Sequence, residues 1–448
     1  MPSFRRLAIN VFLAVTLSVG SQIAYGAPSL GGTKLEGARI QAPEKPTVMK
    51  SIAAAEKTHV LDLTGQVLTV QELAAMAKLT SLKTLLLTKT NITDQEGGFI
   101  AKLSGLRELD LSSTNAGDGM LDKIKGLKLS ALSLAETKVG DQGIQSLSKI
   151  EGLRALDLSG TAITEKGLAA LGNCRTLKRL MLDRTNTNDE SLKQLSSLNT
   201  LESLSLKDTA VTGATFDAVP SLRFLISLDL SGTKVSDATA AKLLAAPNVV
   251  ALSLSKTKVS DNSLPHLNKM KNLRDLCLAS CAITDKGMAS LKNTRLRTLV
   301  LSGNKITGKT LQLLKAQKFL SILNLDGTPI DDPSIATLKE LPELAELYLK
   351  NSRISDSALK TISTFSKLES LDLSANKTIT DEGLKLLSAS KNLRYVNVSE
   401  TNITSQGLDA LLRMRTIARV DAERCSKLTK QDLEAIQKRH PNSLVAGG

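Results

Sequence analysis

Residues Leu153 to Leu168 read LRALDLSGTAITEKGL. The skeleton, L-x-x-L-x-L-x-x-T-x-I followed by T-[DE]-x-G-L, recurs from about residue 58 to residue 433. With the middle leucine as marker, the copies fall at Leu61, Leu85, Leu109, Leu132 and so on to Val396 and Val420. Sixteen copies follow one another in steps of 24 residues, with two steps of 23 and one of 25. So regular a period marks a chain of identical coils, each of which must bury its apolar side against the next.

The skeleton has a direct physical reading. In Leu156-x-Leu158 the alternation has period two, so both leucines face one side of a short strand. Leu153 and Ile163 flank them on the buried side. Thr164-Glu165 is a helix-start signal, because a threonine hydroxyl accepts from free N–H groups and an acid favours the positive helix end. Leu168 and Leu171 then recur at helical spacing. Each leucine buried between coils contributes roughly 1.5–3 kcal/mol, against the entropy of ordering its repeat. The expected fold is an α/β solenoid of about sixteen 24-residue repeats, a horseshoe with a parallel sheet inside and helices outside.

The chain has 448 residues and only 2% aromatics, with no Trp, so its core is aliphatic. Residues 1–26 have the form of an export signal, with Arg5 and Arg6 before the apolar run Leu7 to Val19 and small residues at Ala24-Tyr25-Gly26. That run is shorter than the ~20 residues of a spanning helix, which disfavours the alternative of an uncleaved anchor. The expected location is periplasmic or secreted. Residues 27–46 read as a flexible leader and 47–57 as an N-terminal cap helix, with Val48, Ile52 and Ala55 on one face. The repeats occupy 58–433 and a C-terminal cap 434–448, with a final helix at about Lys430 to Arg439 and a closing half-coil at Ser443-Leu444-Val445. One repeat carries an extra residue near Lys377-Thr378, where a local bulge is expected.

The pattern resembles the leucine-rich repeats of the ribonuclease-inhibitor-like kind. It is most similar to the cysteine-containing subtype found in F-box proteins and in many exported bacterial repeat proteins. The likeness rests on I-T-D-x-G at Ile283–Gly287 and Ile379–Gly383, and on Cys174, Cys281 and Cys425. The resemblance implies a binding module that needs no cofactor. It says little about the partner, because function on a repeat scaffold is written in the variable positions.

Catalytic constellations are missing from the sequence. His59, His266 and His440 are far apart, and no metalloprotease, nucleophile-elbow, phosphate-loop or dinucleotide motif is present. Asp94, Asp141, Asp237, Asp261, Asp285, Asp356 and Asp381 all fall at helix starts, where capping accounts for them. No enzymatic role, cofactor or metal is therefore expected. The four cysteines are expected to be unpaired, three of them buried. Cys277 and Cys281 lie along one strand and its exit, roughly 13 Å apart at ~3.3 Å per residue, and a disulfide needs Cα atoms within about 7 Å.

The net charge is +14. Summed over all repeats, the outward strand positions are close to neutral, so the surplus reads as a diffuse basic shell on helices, loops and ends. Such a shell suits loose attraction to an anionic envelope polymer and lacks the aromatic platform of a nucleic-acid groove. The outward strand face is the expected binding surface for a protein partner. Its large residues gather near the C-terminal end at Ile322, Tyr348, Lys350, Arg394, Tyr395 and Arg419, and Tyr and Arg are the types that most often anchor interfaces. Random decoration of a scaffold is the competing reading of the same six residues.

Overall fold

The computed structural model describes residues 47–291, 295–441 and 443–447. The expected export signal and leader lie outside them. Within the described residues the chain divides into two compact units, 47–210 with Ala218–Phe224, and Val211–Asp217 with 225–447. Each is an α/β leucine-rich-repeat solenoid in which each repeat contributes a three-residue parallel strand followed by a helix or 3-10 turn. Where the sequence reading expected an unbroken coil, one repeat lacks its helix. Thr212-Gly213-Ala214 stands in place of T-[DE]-x-G, and two 3-10 turns, Phe216–Ala218 and Pro220–Phe224, replace the helix. Proline removes an N–H donor that a helix interior would need.

In the N-terminal unit the described strands run from Val60–Asp62 to Ser203–Ser205. They pair in parallel with marker on marker, as in Leu132↔Leu156↔Leu180. The markers are sealed, with Leu85 at 0% and Leu156 at 2% exposure. Before them stands the helix Val48–Thr58, which buries Val48, Ile52 and Ala55. In the C-terminal unit the strands run from Ser227–Asp229 to Leu444–Ala446. The last closes the sheet, with Val445 of the expected half-coil paired to Val420. The helix Lys430–Arg439 precedes it and so straddles the expected boundary at 433/434. The extra residue near Lys377 is absorbed between Ser374 and Ile379, and the register Leu371↔Val396 is unbroken.

Two polar ladders hold the coils. The first lies where the strand turns away. Thr90, Thr114, Thr161, Thr233 and Thr401 each donate to the carbonyl three residues back, at 2.6–2.7 Å. Where asparagine replaces threonine, its amide reaches two repeats: Asn376 Nδ2 donates to Leu373 O and Leu349 O. These bonds satisfy carbonyls that the sheet has abandoned.

The second ladder corrects the reading of the helix-start aspartates. At many of these helices the residue that caps is the Thr or Ser before the acid, as Thr164 does for Glu165–Leu171, whereas Gly140 before Asp141 offers no side-chain cap at all. The aspartate instead reaches the next repeat. Asp141 accepts from Thr164 N and Oγ1 at 2.7 and 2.5 Å, and Asp381 from Thr404 N and Oγ1 at 2.8 and 2.6 Å. Burial would raise the Asp141 carboxyl, but the bonds from Thr164 outweigh it and hold the group below the usual range. The staple also explains the glycine of T-D-x-G. A Cβ on Gly167 would lie 2.5 Å from Asp141 Oδ1, and one on Gly143 equally close to Asp118 Oδ1.

Candidate recognition face

The register sorts the outward residues of the C-terminal unit into columns. Ile322, Glu346, Ser370, Tyr395 and Arg419 form the first strand column. Asn324, Tyr348, Asp372, Asn397 and Asp421 form the third, on the same side of the sheet because strand side chains alternate. The six residues singled out from sequence thus fall into two groups. Arg394, Tyr395 and Arg419 come together, whereas Ile322, Tyr348 and Lys350 lie nearer the preceding strands.

Two of the first group, Tyr395 and Arg419, converge on one carboxylate. Tyr395 donates its hydroxyl to Asp421 Oδ2 at 2.8 Å, while Arg419 grips Asp421 through Nε at 2.7 Å and a terminal nitrogen at 3.2 Å. Burial, and then the Asp421 charge, push the Tyr395 phenol well above its ordinary range, so it remains a donor. Arg394 is exposed and stands 3.9 Å from Glu369. The backbone ties the trio together, because Arg419 N donates to Arg394 O and Tyr395 N to Glu369 O.

In the second group, the accessibility expected of Tyr348 is corrected. It is only 8% exposed and donates its hydroxyl to Glu346 Oε2 at 2.7 Å. Adjacent strands lie ~4.8 Å apart, so its ring is flanked in its column by Asn324 and Asp372. Ile322 and Lys350 are half-buried. The acids were missed. Asp326 accepts from Lys350 N at 2.8 Å and from Asn324 Nδ2 at 3.0 Å, and Asn397 Nδ2 donates to Asp372 at 2.9 Å. Burial, and then repulsion from Asp372, raise the Asp326 carboxyl to about 6. Burial also raises Glu346 and Asp372, partly offset by hydrogen bonds from Tyr348 and Ser374 respectively. The available signal was the spacing i, i+2 in Arg419-Val420-Asp421 and Glu346-Leu347-Tyr348, which places both ends on one face. Aspartate recurs at the third position in many repeats, so its presence there carried no distinction.

Other chemistry-bearing groups have structural surroundings. Cys174, Cys277 and Cys425 are buried, Cys281 is half-buried, and all four are unpaired. Burial pushes the Cys174 thiol up to about 11. His440 is 2.9 Å from Asp409, which also meets Arg413 and Arg439. Among the described residues no group of three His, Cys, Asp or Glu could hold a metal ion, and no helix is long and apolar enough to cross a membrane.

The basic surplus is less diffuse than its sum implied. The column just before each strand is continuous through backbone bonds, and in the N-terminal unit it runs His59, Lys83, Arg107, Ser130, Arg154, Lys178, Glu202. In the C-terminal unit its middle runs Arg274, Arg297, Ser321, Ala345, Glu369, Arg394. Summing over all repeats averaged the two.

Repeats, ladders and sheet together define a leucine-rich-repeat protein. A family model described as a leucine-rich repeat region matches residues 41–289, and a leucine-rich-repeat model matches 292–314, 366–388 and 389–412. The chain belongs to the leucine-rich-repeat family. No curated protein matches it in sequence at a significant level. Among solved structures it is similar to an internalin of Listeria monocytogenes, with 19% identity, a TM-score of 0.52, and 73% of this chain and 95% of that one covered. It is also similar to a leucine-rich-repeat protein of Leptospira interrogans, with 20% identity, a TM-score of 0.51, and 91% and 100% covered. At these identities the likeness concerns the fold.

Proposed function

We infer that the protein is an exported, non-enzymatic binding module of the cell envelope that recognises another protein through the strand face of its C-terminal repeats. The observation that carries this reading is the Arg394–Tyr395–Arg419 group. Two of its long side chains are fixed on Asp421 while Arg394 stands exposed. Side chains held in place before binding lose less entropy on association. Lys350 and Ile322 lie at the margin, and Tyr348 supports the face from beneath by orienting Glu346. The proposed location, periplasmic or secreted, rests on the character of residues 1–26.

Capture of envelope proteins on the immobilised chain tests the reading. The triple variant R394A/Y395A/R419A should lose a discrete partner that the unaltered chain retains, while a thermal melt shows it still folded at the temperature of the capture. Equal capture by both would remove this face from consideration. A second reading, attachment to an anionic polymer, is favoured by the cationic column of the N-terminal unit.

A further inference from the structure

We propose that the strand-start column of the N-terminal unit is a binding track for a linear, carboxylated polysaccharide. This track is separate from the protein-recognition face and stands or falls apart from it. Four cations, Lys83, Arg107, Arg154 and Lys178, occupy five consecutive rungs, with Ser130 between. The rungs are joined by backbone bonds: Arg107 N to Lys83 O, Ser130 N to Arg107 O, Arg154 N to Ser130 O and Lys178 N to Arg154 O, all at 2.7–2.9 Å. The cations therefore recur at the strand repeat of ~4.8 Å. Lys83, Arg154 and Lys178 are exposed.

Their pairing sets them apart from ordinary surface charge. Among the described residues, Lys83 and Arg107 reach only backbone carbonyls, those of Gly105 and Leu106, and Arg154 meets no carboxylate at ion-pair distance. Lys178 alone is paired, to Glu202 at the end of the run. Lys78, Lys102 and Lys149, just past helix C-termini of the same repeats, add to the positive charge of the unit. Those three have a sufficient structural cause, since cations there favour the helix dipole. The column itself precedes strands and has no such cause. A row of unneutralised like charges costs self-repulsion, which an anionic ligand would relieve.

The row and its surroundings select the ligand. An extended polyuronate carries one carboxylate per sugar ring along a thread that can follow the whole row, so it supplies counter-charge to several rungs at once. A single-stranded nucleic acid would also supply negative charge, but its binding sites combine charge with stacking rings. The stretch from Lys78 to Lys178 holds no Tyr or Trp, and its one ring, Phe99, is covered by Lys102 at 5.8 Å.

The test is fluorescence anisotropy of the full chain with labelled oligogalacturonate and, separately, labelled oligothymidylate, at low and at roughly 0.5 M salt. K83S/R107S/R154S should weaken oligogalacturonate binding by roughly 100-fold at low salt. Removing three paired cations from the other unit, K318S/K367S/R424S, deletes the same charge and should change affinity by less than about threefold. Thermal melts of both variants report folding. Equal losses from the two triples would reduce the effect to net charge and overturn the track. Unchanged binding by the first triple would also overturn it. Tighter binding of oligothymidylate than of oligogalacturonate would overturn the polysaccharide assignment.

Discussion

In the N-terminal unit the column that opens each strand runs Lys83, Arg107, Ser130, Arg154, Lys178 and closes on Glu202; in the C-terminal unit its middle runs Arg274, Arg297, Ser321, Ala345, Glu369, Arg394. Backbone geometry is the same in both, with one bond from each rung to the last. The furnishing differs. Around the second column Lys318 meets Glu340, Lys367 meets Glu343 and Arg394 approaches Glu369, a glutamate of the column itself, while Arg274 reaches only backbone carbonyls. Around the first, three of the four cations meet no carboxylate at ion-pair distance among the described residues, and the four fill four of five consecutive rungs. The fold needs only the inward columns, so the outward ones are free to differ, and paired charges mark ordinary surface while unpaired rows mark places where something else supplies the counter-charge.

The largest effect on stability should come from the staple that both units share. Gly407→Ala would place a Cβ against the Asp381 carboxylate and 3.0 Å from its Cα. It should lower stability by about 1–3 kcal/mol, read as a lower urea midpoint. Gly98→Ala, in the helix Gly97–Ile100 of the N-terminal unit, meets nothing within 4 Å. It should be neutral or stabilising by up to ~1 kcal/mol. Equal losses at both sites would mean that the Asp–Gly staple is not what excludes a side chain.

A pH effect should separate the C-terminal face from a purely decorative one. The Asp326 carboxyl is raised to about 6 in the folded chain, against an ordinary value of 3.8. The folded state then binds the proton more tightly than the unfolded state. This contribution favours folding at low pH and is lost as pH rises from about 4 to about 6. Asp326→Asn should flatten stability across that window by ~1–3 kcal/mol and leave the variant more stable at pH 7. A stability curve unchanged by the substitution would show that Asp326 is not burdened by its surroundings.

Smaller still is Tyr395→Phe, which leaves Asp421 to Arg419 alone. It should cost about 0.5–1.5 kcal/mol and weaken partner capture. Removing an exposed pair by Lys367→Ser should cost no more than ~1 kcal/mol and leave capture unchanged.

What could be read from the sequence follows from these same differences. The leucine and threonine columns point inward and obey one rule in nearly every repeat, so period alone exposed the strands and all but one of the helices. The glycine of T-D-x-G was visible as a pattern, but its cause lies one repeat away in the aspartate it must clear. Asp141 and its counterparts sat at helix starts as expected, yet their partners were in the following coil, a contact that stacking alone brings together. Outward residues obey no repeat rule. Tyr348 and Tyr395 looked alike in sequence, yet one lies buried against Glu346 and the other converges with Arg419 on Asp421. Charge was legible in amount but not in place, because a sum over repeats hid the row from Lys83 to Lys178.

The most direct test is capture from an envelope extract of the source organism at low and high salt, on three forms of the full chain. These are the unaltered protein, the face variant R394A/Y395A/R419A and the column variant K83S/R107S/R154S. The account predicts a discrete protein retained at high salt by the unaltered chain and the column variant and lost from the face variant. Retention by the face variant, or capture that disappears entirely at high salt, would contradict it.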